Sequence, residues 1–397
     1  MMELKERVLE QKLYLNGAEK IAKVFLRIDP LTDFAAYISE ERAKRRMYTL
    51  RTLVQYEKNC DFCNPYLNTP EPRKHHEGGA VSVPNYFPWS IGQFVTIYPP
   101  FRKNHDDSPV LHRLFPSELE QKDLTSMMEA MWDLANYAYS VGAESYLFFT
   151  NWGPFAGASR QHPHSQFTIL DYIHPYSQIK HEIELARKYY FLTGNNLYDQ
   201  YVAHEEQDGS RKIFSNSDVY IGAPFAPRFS DEIIIISKKP VSSVVELEVR
   251  DDRISVIQPA WGIFPFLYFY RYVMNFNMVF HNAPICELRN SSVHPSKYYR
   301  MHVHIYPRKN ALPNDIAGAE LGALNSVPSK MPEDTAHYAR LWYSSPYPSE
   351  EYIAKKQAII DGKEKEIVDE ELLEQFRACM RALPQRKFYH VDDENKE

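Results

Sequence analysis

One order of segments occurs twice in this chain, and that recurrence limits its fold more than any other feature. In the first copy a strand-like segment, Ser145–Phe149, runs into Thr150-Asn151, and His162-Pro163-His164 follows. In the second copy Asn277–Phe280 runs into His281-Asn282, and His302-Val303-His304 follows. The two Asn residues are 131 positions apart and the two H-x-H pairs 140 apart. A repeated order at a similar offset argues for two copies of one unit. What precedes each copy agrees. The strand Phe94–Tyr98 enters Pro99-Pro100, and a helix follows with Ser117 and Glu120 at capping-box spacing. Leu124, Met127, Met131, Leu134 and Ala138 recur along it at helical intervals. The strand Ile233–Ile236 likewise leads to Lys238-Lys239-Pro240 and an apolar segment from Leu247 to Val273. Pro259 and Pro265 predict a break or kink in that second segment.

At 397 residues the chain is too long for one ordinary core and fits two compact units. Residues 1 to about 25 read as a polar amphipathic helix. Residues 59 to 90, rich in Pro, Gly, Asn and His, read as irregular. Beyond about 337 the chain turns polar, and Glu350 to Met380 reads as a Lys/Glu-rich helix with a charged tail. The divisions are residues 1–195, 196–336 and a C-terminal extension, 337–397.

The net charge of −6 gives no basic footprint for nucleic acid. Four cysteines, two in C-x-x-C, form no disulfide framework and point to a reducing cytosol. The N-terminus lacks the apolar run of a signal peptide, and no apolar stretch is long enough for a membrane span.

Three clusters carry chemistry. Cys60-Asp61-Phe62-Cys63 favours a metal over redox work, because Pro65 follows closely and the context is loop. Zinc needs two more ligands, and His75, His76, His105, His112 and His162 are the nearest histidines. The second cluster is Gly157-Ala158-Ser159-Arg160-Gln161-His162-Pro163-His164-Ser165-Gln166. Residues two apart share a strand face, so His162, His164 and Gln166 would line one side as a row of polar groups. The small residues before them can bring backbone N–H groups close to a phosphate. Neither a P-loop nor a Rossmann glycine pattern is present. The third cluster is His302 and His304 with His281 upstream. Three strand histidines suggest a second metal, which a carboxylate would complete.

Together these residues resemble the galactose-1-phosphate uridylyltransferase family, the transferase branch of the histidine-triad superfamily, over about residues 28 to 336. The motifs are Asp29-Pro30-Leu31-Thr32 with Arg42-Ala43-Lys44-Arg45, Cys60-x-x-Cys63, His112 with Glu118-Leu119, Asn151-x-Gly153, Gly157-x-Ser159 and His162-Pro163-His164-x-Gln166. In the second copy they are Phe280-His281-Asn282-Ala283-Pro284 and His302-Val303-His304-Ile305-Tyr306-Pro307. The resemblance implies an α+β fold of two histidine-triad-like repeats, each an antiparallel sheet packed with helices. It implies zinc on Cys60, Cys63, His112 and His162. A second metal, iron or zinc, would bind Glu182, His281, His302 and His304. His164 would be the nucleophile, and Gln166 would hold the phosphoryl group. Arg42, Lys44, Asn85, Asn151 and Ser159 match nucleotide-binding positions, and Glu320, in Gly318-Ala319-Glu320, matches a sugar-phosphate contact. Arg160-Gln161 stands where the family often has Asn-Pro, and Asn325-Ser326 where it carries Gln.

The implied activity is UDP-glucose–hexose-1-phosphate uridylyl transfer, ping-pong through a nucleotidyl-histidine. The substrates would be a nucleotide sugar and a sugar 1-phosphate, and the enzyme a cytoplasmic homodimer. Other acceptors define the alternatives: inorganic phosphate in a nucleotide-sugar or dinucleoside-polyphosphate phosphorylase, and water in a hydrolase. A non-catalytic zinc-binding module is the reading from a different class.

Overall fold

The computed structural model describes residues 5–15, 17–28, 35–38, 60–101, 119–173, 177–267, 275–308 and 331–343. Ten strands form one antiparallel sheet. Its first half holds β4 (Lys74–His75), β5 (Val81–Pro84), β6 (Phe94–Ile97), β7 (Ser145–Trp152) and β8 (His164–Leu170). Its second half holds β9 (Lys212–Ser215), β10 (Val219–Gly222), β11 (Ile233–Ser237), β12 (Asn275–His281) and β13 (His302–Arg308). The order across the sheet is β4-β5-β6-β8-β7-β12-β13-β11-β10-β9. From either edge inward, a half places its first, second, third, fifth and fourth strands. The halves meet where β7 pairs with β12, Asn151 opposite Asn277. The class is the α+β arrangement that the resemblance implied.

Alternation along the strands sorts their side chains between two environments. Phe148, Phe167, Ile169, Phe276, Met278, Phe280, Val303 and Ile305 enter the main core. There they meet α2 (Gln121–Ser140), whose Leu124, Met127, Met131, Leu134 and Ala138 are fully or almost fully buried. The N-cap of α2 is Glu120, which trades a reciprocal pair of hydrogen bonds with Asp123. This moves the expected capping box three residues on; Ser117 lies outside the described residues. The second helical segment is broken where its prolines fall. It consists of α5 (Arg250–Ile257), a 3-10 stretch from Gln258 to Gly262, and the single turn α6 (Ile263–Pro265). Arg253 of α5 reaches Glu129 of α2 through two 3.0 Å bonds. It also bonds two backbone carbonyls and lies over the Trp132 ring.

The opposite face receives α3 (Gln178–Thr193) and α4 (Leu197–Asp208) over the second half. Ile234 and Ile236 pack there against Val202, while Ile233 and Ile235 join the main core. Burial on both faces explains why β11 reads as an unbroken isoleucine run.

The N-terminal segment is a hairpin, not the expected helix. β1 (Lys5–Leu15) pairs with β2 (Ala18–Ile28), Leu15 opposite Ala18, and β3 (Ala35–Ile38) adds a third strand. The sequence Asn16-Gly17 is a favoured two-residue hairpin loop, and Gly17 has φ +78°. Ala22, Val24 and Leu26 are buried at a period of two, which a helix cannot produce, and Leu9 and Leu13 are buried on the facing strand. Leu9, Val24 and Leu26 pack on Ile91 and Tyr172.

Candidate active site and metal clusters

The sheet face that turns from α2 carries the polar residues singled out above. On β8 the chain alternates His164, Gln166 and Thr168 outward with Phe167 and Ile169 toward the core. On β13 it alternates His302 and His304 with Val303 and Ile305. β7 and β12 lie between β8 and β13, so strand spacing alone separates the two groups by roughly 14 Å.

His164 is 4% exposed. Its Nδ1–H donates to the His162 carbonyl at 2.9 Å, which fixes the tautomer and leaves Nε2 with its lone pair. Gln166 shares the face two residues on. Ser165, between them, points the other way and bonds Tyr98 and Thr150 at 2.7 and 2.5 Å. His162 precedes the strand, so the expected row of three is a row of two. The His162 ring turns instead to the cysteines.

Cys60 and Cys63 bracket a 3-10 turn, Asp61–Cys63, which leads into the short helix α1 (Pro65–Asn68). The His162 Nε2–H donates to the Tyr98 carbonyl at 2.6 Å, which directs Nδ1 at Cys63 Sγ, 3.4 Å away. A sulfur and a nitrogen ligand of one tetrahedral zinc stand roughly 3.6 Å apart, so the pair fits such an ion. The ligand atoms of Cys60, Cys63 and His162 all lie within 4.8 Å of one another, and all three residues are buried. The neighbouring Cys63 thiol and burial push the Cys60 thiol well up. Phe62, between the cysteines, sets its ring edge-on to His164 with centroids 5.2 Å apart. One short turn thus touches both the cluster and the candidate nucleophile.

The second cluster gathers Glu182 from α3, His281 from β12, and His302 and His304 from β13, again with ligand atoms within 4.8 Å. His281 sits directly opposite His302 across the ladder. Glu182 Oε2 is 2.8 Å from His281 Nδ1 and 3.3 Å from His302 Nε2. Each remaining imidazole is steered by an outer partner. His302 Nδ1–H donates to the Arg300 carbonyl at 2.8 Å, and His304 Nδ1–H to Glu232 Oε1 at 2.7 Å. Burial holds His281 down to about 4, so its ring is neutral near pH 7. Burial alone would raise the Glu182 carboxyl, but the His281 and His302 imidazoles around it hold it well below the usual range. Three imidazoles and one carboxylate form a donor set suited to a divalent transition metal.

The residues expected to bind nucleotide are placed in part. Asn85 accepts the Phe87 N–H on its side chain, and its own N–H donates to the Gln93 carbonyl at 2.8 Å. Asn151 follows Thr150, which pairs with Ser165, so register sets it level with His164. Its Oδ1 accepts from Asn277 Nδ2 at 2.8 Å. Gly157, at φ +84°, turns the chain beside Asn151, and Ser159 follows in the half-exposed turn before His162. Arg42, Lys44, His112 and Glu320 lie outside the described residues. Sequence reasoning missed Glu232, Gln93 and Asn277. Each bonds a site residue far away in the chain, and none belongs to a local pattern.

A histidine whose Nδ1–H is tied to a backbone carbonyl, sharing a strand face with an amide on this sheet, fits the class of histidine-based nucleotidyltransferases. Solved structures share this fold. One described as uridylyltransferase matches with a TM-score of 0.62 at 22% identity, covering 80% of this chain and 98% of that one. An ADP-glucose phosphorylase from Arabidopsis thaliana, with bound ADP-glucose, matches at 0.58 and 20% identity, covering 81% and 99%. In sequence the chain is similar to named galactose-1-phosphate uridylyltransferases, as its motifs implied. That of Saccharomyces cerevisiae is 25% identical over 208 residues, 49% of this chain and 54% of that protein. That of Thermotoga maritima is 24% identical over 342 residues, 79% of this chain and 97% of that protein. The match thus spans about half the length of the yeast relative. No family model matches the chain. Among the described residues no helix is long and apolar enough to cross a membrane.

Proposed function

We propose that this protein is a hexose-1-phosphate uridylyltransferase working through a nucleotidyl-histidine on His164. The observation that carries the reading is the Nδ1–H bond to the His162 carbonyl, which makes Nε2 the unprotonated ring nitrogen on the strand face shared with Gln166. The names of the relatives supply the substrate class.

His164 Nε2 attacks the α-phosphorus of a nucleotide sugar. The N–P bond forms as the bond from phosphorus to the bridging oxygen breaks, and sugar 1-phosphate leaves with the electron pair. The ring becomes a phosphorylated imidazolium that keeps its Nδ1 proton, and the His162 carbonyl stabilises that positive charge. No proton has to move. A second sugar 1-phosphate then attacks the same phosphorus through a phosphate oxygen, and neutral imidazole leaves. Splitting one displacement into two predicts ping-pong kinetics. Gln166 donates from its amide to the transferring phosphoryl. Asn85, Asn151, Ser159, Arg42 and Lys44 hold the nucleotide, and Glu320 holds the sugar phosphate.

Zinc on Cys60, Cys63, His162 and His112 would tie the 60–63 turn to the start of β8. Iron or zinc on Glu182, His281, His302 and His304 would tie α3 to the sheet. Four protein ligands leave an ion no open position, so both would supply folding energy. The reading further includes two histidine-triad-like units, 1–195 and 196–336, an extension at 337–397, a homodimer and a cytoplasmic location.

The test offers UDP-, ADP- and GDP-glucose with galactose 1-phosphate, inorganic phosphate or water, and identifies the products by mass spectrometry. Transfer of the uridylyl group between hexose 1-phosphates, faster than its transfer to phosphate or water, is expected. Faster turnover with inorganic phosphate would make the protein a phosphorylase instead.

A further inference from the structure

Gln93 is fully buried at the entry to β6, one strand over from Gln166, and the family motifs assign it nothing. It forms the middle of a three-member chain. The Trp89 N–H donates to Gln93 Oε1 at 2.9 Å, and Gln93 Nε2 donates to Gln166 Oε1 at 3.2 Å. The direction of this chain is forced from one end. A backbone N–H can only donate, so it takes the oxygen of Gln93. The Gln93 NH₂ is then the group that faces Gln166, and it takes the oxygen of Gln166. The Gln166 NH₂ is left on the far side of its amide, on the strand face shared with His164. The Gln93 backbone carbonyl meanwhile accepts the Asn85 N–H, so the same residue also closes the 85–93 turn.

We infer that Gln93 is a positioning residue that sets which end of the Gln166 amide faces the transferring phosphoryl. The inference rests on the nucleotidyl-histidine reading. An amide left to itself can present oxygen or nitrogen. With oxygen forward it repels the phosphoryl oxygens that gain charge as His164 attacks, and with nitrogen forward it donates to them. The Trp89 N–H makes the choice and Gln93 relays it.

Gln93→Glu separates this role from simple packing. The glutamate keeps the shape and still accepts the Trp89 N–H. Toward Gln166 it offers only an oxygen, so the Gln166 amide must turn its NH₂ back and its oxygen forward. In rapid-quench experiments with labelled UDP-glucose, the covalent protein should form about 10- to 100-fold more slowly. That range is on the order of, or somewhat below, the loss of one oxyanion donor. The thermal midpoint and UMP affinity should stay near wild type. The decisive reading is a double-mutant cycle with Gln166→Ala, because residues acting as one unit are not additive. Gln93→Glu should cost little more once Gln166 is Ala. Should Gln93→Glu fail to fold, Gln93→Met removes the relay while keeping the length. It should give a smaller slowing, about three- to tenfold, with the same non-additivity. Labelling at the wild-type rate, or slowing that persists in the Gln166→Ala background, overturns the inference. A wild-type protein that takes no label overturns the nucleotidyl-histidine reading beneath it, and the wild-type control tells the two failures apart.

Discussion

Glu232 is buried beside His304, and Glu232→Gln puts a single hydrogen atom in the wrong place. One carboxylate oxygen accepts the His304 Nδ1–H at 2.7 Å, and the other accepts the Arg228 and Phe229 N–H groups at 2.5 and 3.3 Å. All three partners donate, which suits a carboxylate and not an amide. If the glutamine oxygen faces His304, its NH₂ collides with two backbone donors. If the oxygen faces the backbone, the NH₂ meets His304 Nδ1, and the ring proton moves to Nε2. That is the nitrogen the metal needs. Loss of an outer partner of a ligating histidine costs about 10- to 100-fold in metal affinity. Tenfold corresponds to about 1.4 kcal/mol, so the expected loss is about 1.4–2.8 kcal/mol. The assay is dialysis against graded chelator followed by metal analysis. The variant should release one equivalent at 10- to 100-fold weaker chelation and keep the ion of the cysteine cluster. Release of both ions at wild-type chelator levels by a folded variant would refute the tautomer argument.

Cys63→Ser should lose the other equivalent of metal and unfold at lower temperature, since structural zinc affinity is folding free energy. Unchanged metal content would remove Cys63 from the ligand set. Arg253→Leu strands Glu129 in the core between α2 and α5, where the two side chains are 7% and 9% exposed. It should cost about 3–5 kcal/mol in urea unfolding, and a loss below about 1 kcal/mol would show that the pair is relaxed or hydrated.

Much of the architecture is legible in the residues, and the parts that are not share a cause. Helix α2 announces itself because Leu124, Met127, Met131, Leu134 and Ala138 all face the sheet. The strand carrying His164 and Gln166 is legible in phase because imidazole and amide replace apolar groups at every second position. The N-terminal hairpin was equally readable from Asn16-Gly17 and from Leu9, Leu13, Ala22, Val24 and Leu26. Its many charged residues, such as the exposed Lys12–Glu19 and Lys23–Glu10 pairs, imitate a polar helix. His162 left its expected row because the strand begins at His164, and a residue before a strand obeys no alternation. The supporting residues left no local trace. Glu232 and His304 are 72 positions apart, Gln93 and Gln166 73, and Asn151 and Asn277 126. Such pairs arise only when the sheet assembles, and periodicity within a segment carries nothing of them.

In the proposed mechanism His164 carries the nucleotide and His162 does not. The two rings differ in their outer bonds: His164 donates from Nδ1 to a backbone carbonyl, whereas His162 donates from Nε2 and aims Nδ1 at Cys63. Protein incubated with UDP-glucose, quenched in alkali and digested should yield a peptide spanning His162–Gln166 that carries one uridylyl group. Alkali preserves a phosphoramidate, and fragmentation should place the group on His164. His164→Asn should abolish the label with metal content intact, and His162→Asn should lower metal content. A uridylyl group found on His162, or full labelling of His164→Asn, would contradict the account.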